Sequence, residues 1–105
     1  LVHQRKLLPA LATTYALHIA QNELVSQMHD LQKPGALADE DAQRDLETRA
    51  AGIKAIGTWH ATRTIQMCRE ACGGAGYLAE NLLPALKADT DVFTTFEGDN
   101  TVLLQ

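Results

Sequence analysis

Apolar residues along the first part of this chain recur at steps of three to five. Leu8, Leu11, Tyr15 and Ile19, continued by Leu24, Val25, Met28 and Leu31, trace the stripe of an amphipathic helix over Leu7 to Leu31. Pro9 has no N–H to give, so the helix either begins near Pro9 or is entered by an earlier, bent helical turn. Lys33-Pro34-Gly35 then ends it, because Pro disfavours helix at the preceding residue and Gly accepts the left-handed cap. A second helix is expected to start near Asp39-Glu40-Asp41, whose carboxylates suit a helix N-terminus, and to run to about Cys72. Along it Ala50, Gly52, Ala55, Gly57 and Ala61 are small, while Leu46, Ile53, Ile56, Trp59 and Met67 supply bulk, so a neighbouring helix can approach closely on one side.

Two such helices joined by a short polar loop make an antiparallel hairpin. From Tyr77 to Phe96 the pattern is irregular, with Pro84 expected to break any helix. A short third helix is expected around Asp99-Asn100-Thr101, continuing through Val102, Leu103 and Leu104. No repeat and no strand-like alternation is present, so the expected fold class is all-α: a long-helix hairpin plus a short third helix.

The 105 residues, 46% hydrophobic and 21% charged, leave room for one domain over residues 1–105. A formal net charge of −4 disfavours nucleic-acid binding. No apolar run approaches the ~20 residues that insert across a bilayer. Cys68 and Cys72, four residues apart on a helix, bridge each other poorly and read as reduced thiols of an intracellular protein. The chain opens without an initiator Met and stops within an apolar run, so it reads as a piece of something longer. A hairpin plus a stub shields only part of its apolar surface, and the missing faces are expected to be covered by the same polypeptide, by a second copy, or by both.

Three features are candidates for chemistry. His3, His18, His29 and His60 are dispersed and lack the paired spacing of a zinc site, so no metal is expected; the cysteines have no CxxC pattern and read as small packing residues. Gly73-Gly74-Ala75-Gly76 follows a helix rather than a strand, which rules out the dinucleotide fingerprint. By itself the run is a cap and turn, and the same lack of side chains would let backbone amides approach a phosphate or a ring. In Thr94-Thr95-Phe96-Glu97-Gly98-Asp99-Asn100-Thr101, Glu97 stands between an aromatic residue and a glycine, just ahead of a helix start capped by Asp99 or Asn100. Glu97 is there either a base or a solvated loop residue near a favourable helix dipole.

The segment Cys68-Arg69-Glu70-Ala71-Cys72-Gly73-Gly74-Ala75-Gly76-Tyr77, followed by Thr95-Phe96-Glu97-Gly98-Asp99-Asn100-Thr101-Val102, closely resembles the acyl-CoA oxidases of the acyl-CoA dehydrogenase superfamily. The interval between Gly76 and Glu97 is similar to that between the family's glycine turn and its catalytic glutamate. Gln4 to Tyr15, with Lys6-Leu7-Leu8-Pro9, resembles the oxidase helix that precedes this region. The resemblance covers most of a C-terminal four-helix-bundle domain and implies an FAD enzyme that converts acyl-CoA to trans-2-enoyl-CoA. It makes Glu97 the base, with Tyr77, Phe96 and Gly98 at the substrate. Glu70, Ala71, Cys72, Gly73 and Gly74 would lie along the FAD of a neighbouring subunit, and Asp99, Asn100 and Thr101 near the cofactor at the helix start.

Glu70, where many dehydrogenases carry Gln, and Asp99-Asn100, where they carry Thr, point to the oxidase branch, which passes electrons to O₂. The resemblance further implies a dimer or tetramer, a buried Glu97 with a raised pKa, and no activity for these 105 residues alone. An electron-transferring dehydrogenase and a non-catalytic helical module are the alternatives. Localisation is open between bacterial cytoplasm, favoured by the frequent Ala, and peroxisome if the source is eukaryotic.

Overall fold

A computed structural model describes residues 1–35, 37 and 39–105. Among these, all regular structure is helical: α1 (Val2–Leu31), α2 (Glu40–Ala71), α3 (Leu83–Asp91) and α4 (Asn100–Leu103), with short 3-10 segments at Gly73–Tyr77, Ala79–Asn81 and Val92–Thr94. The all-α expectation holds, and so do the bounds of the second helix. Asp39 caps α2, its Oδ1 accepting from the Ala42 N–H at 2.9 Å, with Glu40 and Asp41 in the first turn.

The helices α1 and α2 form the antiparallel hairpin. At one end His3 Nε2 donates to the Ala71 carbonyl at 3.0 Å and Lys6 pairs with Glu70 at 3.4 Å. In the middle the Thr14 hydroxyl and His60 Nε2 lie 2.8 Å apart, and further along Arg49 donates to Gln27 Oε1 at 3.3 Å. Helix α1 runs unbroken through Pro9, with helical residues preceding it from Val2. The carbonyl of Arg5 that Pro9 leaves without a partner lies on an exposed residue, where water can serve it.

Two sequence expectations are corrected. Pro84 does not break a helix; it sits in the first turn of α3, where its missing N–H costs nothing. The stretch from Tyr77 to Phe96 is accordingly helical over much of its length. The stripe Leu8, Leu11, Tyr15 and Ile19 is not the face that meets α2: these residues are 56%, 51%, 63% and 66% exposed. The inward seam is Ala10, which is buried, with half-buried Leu17, Leu24 and Leu31 at seven-residue spacing. Helix α1 is thus apolar on two faces, as befits a helix meant to be packed on both sides.

Little is fully buried. Ala10, Leu46 and Ala55 are the buried apolar residues among those described, and Asn100 is the buried polar one. Asn100 of α4 reaches the Ala55 carbonyl in the middle of α2, and Asp91 at the end of α3 accepts from Thr62 in the C-terminal half of α2.

Candidate active-site loop

The glycine turn is shaped by two different requirements. Helix α2 ends at Cys72, whose N–H still bonds to the Cys68 carbonyl at 3.1 Å, and Gly73 follows in the left-handed region at φ +58°. Gly73 and Gly74 are exposed, and a Cβ on either would meet nothing within 4 Å. Gly76 is buried instead: a Cβ there would fall 2.0 Å from the Arg69 carbonyl oxygen. Arg69 also stacks its guanidinium over the ring of Tyr77, 4.1 Å from the centroid, tying the turn back to α2.

Glu70 sits on the last turn of α2, where hydrogen bonding from Gln66 and then pairing with Lys6 of α1 hold its carboxyl below its ordinary pKa. Ala71 is half-buried, its carbonyl taken by His3, and Cys72 is exposed with a free thiol.

The second segment is a loop between the 3-10 turn at Val92–Thr94 and α4. Phe93 and Phe96 pack together with ring centroids 5.3 Å apart and the rings tilted by 40°. Glu97 and Gly98 then take consecutive positive φ values, +52° and +99°. A side-chain-bearing residue in that region is uncommon and must be held there by its surroundings. Gly98 is required by its φ, and a Cβ on it would come 2.9 Å from the Leu103 side chain. Glu97 itself is exposed in this chain, so the enclosure that the resemblance implies is not supplied by these residues. No acceptor among the described residues takes its main-chain N–H.

What holds the loop lies in α2. Lys54 Nζ donates to the Gly98 carbonyl at 2.6 Å and to Asn100 Oδ1 at 2.9 Å. Asn100, 1% exposed, donates through Nδ2 to the Ala55 carbonyl at 3.1 Å and to Thr58 Oγ1 at 2.8 Å. Asp99 is the N-cap of α4, accepting from the Thr101 N–H at 2.9 Å. The side chain of Asn100 therefore faces α2, a packing role that its place in the motif does not reveal. Lys54 was missed by sequence reasoning altogether. A lone lysine inside a helix carries no local signal of a bond to a loop more than forty positions away.

Other features lie apart from this loop. A groove of about 710 Å³ between α1 and α2 is lined by Leu17, Val25, Ile53 and Gly57 among others, and not by Glu97. Among the described residues no three His, Cys, Asp or Glu side chains gather as a metal site, and no helix is long and apolar enough to cross a membrane.

The family model of the acyl-CoA oxidase C-alpha1 domain matches residues 1–105. The chain belongs to the acyl-CoA oxidase family. Acyl-coenzyme A oxidase 2, peroxisomal, of Arabidopsis thaliana is 46% identical over 97% of this chain and 14% of its own length. Peroxisomal acyl-coenzyme A oxidase 3 of Homo sapiens is 41% identical over 99% of this chain and 16% of its own length. Peroxisomal acyl-coenzyme A oxidase 1 of Rattus norvegicus is 36% identical over 96% and 15%, respectively. This oxidase-family segment thus spans about a seventh of the curated relatives it matches. No solved structure matches it significantly. The names of these relatives place them in peroxisomes, and the lean toward a bacterial cytoplasm finds no support in them.

Proposed function

We propose that this chain is the segment of an FAD-dependent acyl-CoA oxidase that carries the catalytic base, Glu97. The observation that carries the reading is the loop geometry: a carboxylate beside Phe96, at φ +52°, with its own main-chain N–H unspent. The same residue can then accept a proton through its side chain and donate a hydrogen bond through its backbone. Glu97 takes the proton from the carbon next to the thioester carbonyl, and the C–H electron pair becomes the Cα=Cβ bond as the β-hydrogen departs as hydride. Its N–H supports the negative charge that develops on the carbonyl oxygen. FAD, when bound, would supply the two-electron chemistry, an acceptor for that hydride and a path for its electrons to O₂, which with that hydrogen and the proton taken by Glu97 would give H₂O₂. The product is trans-2-enoyl-CoA.

The glycine turn fits a flat cofactor. Gly73 and Gly74 are exposed, and a Cβ on either would meet nothing within 4 Å, which leaves bare main chain open to the approach of a flat group. Glu70, Ala71, Cys72, Gly73 and Gly74 would lie along FAD in a neighbouring copy, and Asp99, Asn100 and Thr101 near it at the start of α4. Tyr77, Phe96 and Gly98 would border the acyl-CoA. The two apolar faces of α1 support assembly with further parts of the polypeptide and with other copies. The peroxisomal relatives favour that compartment.

The test is O₂ consumption and H₂O₂ release by the full-length protein with palmitoyl-CoA. Turnover that proceeds only with an electron-transfer flavoprotein would make it a dehydrogenase. No turnover with bound FAD and either acceptor would make it a scaffold.

A further inference from the structure

We propose that Lys54 is a positioning residue for the catalytic glutamate, clamping the loop immediately beyond Glu97 so that its carboxylate stands in one place. The inference rests on the reading of Glu97 as the base. Lys54 is half-buried in the middle of α2, and its ammonium donates to the Gly98 carbonyl and to Asn100 Oδ1, one residue and three residues beyond Glu97. Lys6, Lys33 and Lys87 each pair with a carboxylate, Glu70, Asp30 and Asp91 in turn. Among the described residues Lys54 has no carboxylate partner and spends its charge on two neutral oxygens.

Those two oxygens belong to a stretch with little support of its own. The N–H groups of Glu97, Gly98, Asp99 and Asn100 make no backbone hydrogen bond among the described residues. Two consecutive positive φ values must nevertheless be maintained there. The contacts that can hold them come from α2: Lys54 to the Gly98 carbonyl, and the buried Asn100 amide to Ala55 and Thr58. Asn100 anchors the start of α4, whereas Lys54 reaches back to the residue beside the base. A charge-assisted bond is the stronger kind and fixes the carbonyl that closes the left-handed pair. Loosening it leaves the fold in place and lets the carboxylate wander, and a displacement on the order of 1 Å at a reacting group costs about 100-fold in rate.

The experiment uses the full-length enzyme with K54M, which keeps an unbranched stem as far as Cε and removes the ammonium. Anaerobic mixing with palmitoyl-CoA and with its α-deuterated form reads flavin reduction per bound FAD, and amide exchange reads the order of Thr101–Leu103. The expected result is about 10–100-fold slower reduction at unchanged FAD content, a larger α-deuterium isotope effect, and faster exchange in α4 with α1 and α2 still protected. Reduction within twofold of the parent overturns the proposal. So does slower reduction with an unchanged isotope effect and lost protection throughout α2, which is a folding defect. If K54M does not accumulate, K54Q, which retains one amide donor, is read by the same criteria. E97Q run alongside separates the two claims: turnover by E97Q removes the base itself, whereas an inactive E97Q beside a fully active K54M removes only the clamp.

Discussion

Gly76 lies so close beneath the carbonyl of Arg69 that a Cβ on it would stand 2.0 Å from the oxygen, well inside contact distance. The neighbouring Tyr77 ring stacks on the Arg69 side chain, so main chain and side chain of one residue fold the glycine turn back onto α2. Backbone cannot move aside as the tip of a side chain can. Gly76→Ala is therefore expected to lower the stability of the full-length protein by about 1–3 kcal/mol, the usual range for overpacking. Gly74→Ala, with nothing within 4 Å and an ordinary φ, is expected to stay within about 0.5 kcal/mol. Thermal unfolding compares the two, and equal midpoints would refute the close approach.

Asn100 is the polar plug of the α2–α4 contact. Asn100→Leu fills similar space but strips Lys54 of one acceptor and Thr58 of one donor. A loss of about 1–3 kcal/mol is expected, the cost of leaving such groups unpartnered. Denaturant unfolding of the full-length protein measures it, and an unchanged midpoint would show that these bonds contribute no net stability.

Glu70 joins the two ends of the hairpin. Hydrogen bonding from Gln66 and pairing with Lys6 lower its pKa in the folded chain. A lowered carboxylate contributes stability that is fully present above its ordinary value and lost as pH falls through the lowered one. The difference in unfolding midpoint between the parent and Glu70→Gln is expected to be small and in favour of the parent near neutral pH, to vanish in acid, and to shrink in high salt, because both side chains are about half exposed. A difference that grows on acidification would contradict the assignment.

Glu97→Gln retains the size and hydrogen-bonding shape of the side chain and removes its basicity. In the full-length enzyme it is expected to bind FAD normally and to lose acyl-CoA-dependent flavin reduction by at least about 100-fold, the lower range for a general base. Stopped-flow absorbance of the flavin reads this directly, and near-normal reduction would rule Glu97 out as the base.

How far the residues announced all this differs along the chain. The hairpin, the acidic start of α2 near Asp39-Glu40-Asp41 and its end at about Cys72 were legible, because periodicity and capping are local properties. The helix over Leu83–Asp91 was not, since Pro84 reads as a breaker until its place in the first turn is known. Glu97 was legible as a candidate by its neighbours, but its left-handed backbone was not, because nothing in Phe-Glu-Gly demands it.

Sequence alone determined that the chain is helical, that its first two helices are long and where they stop, and which short segment bears Glu97. It did so because hydrogen bonding within a helix and the chemistry of its ends depend on residues a few positions apart. Tertiary structure decided which of the two apolar faces of α1 meets α2, that Asn100 turns inward, and that Lys54 reaches the loop beside Glu97. These depend on contacts between positions far apart in the chain, whose partners are chosen by packing and charge in three dimensions rather than by spacing.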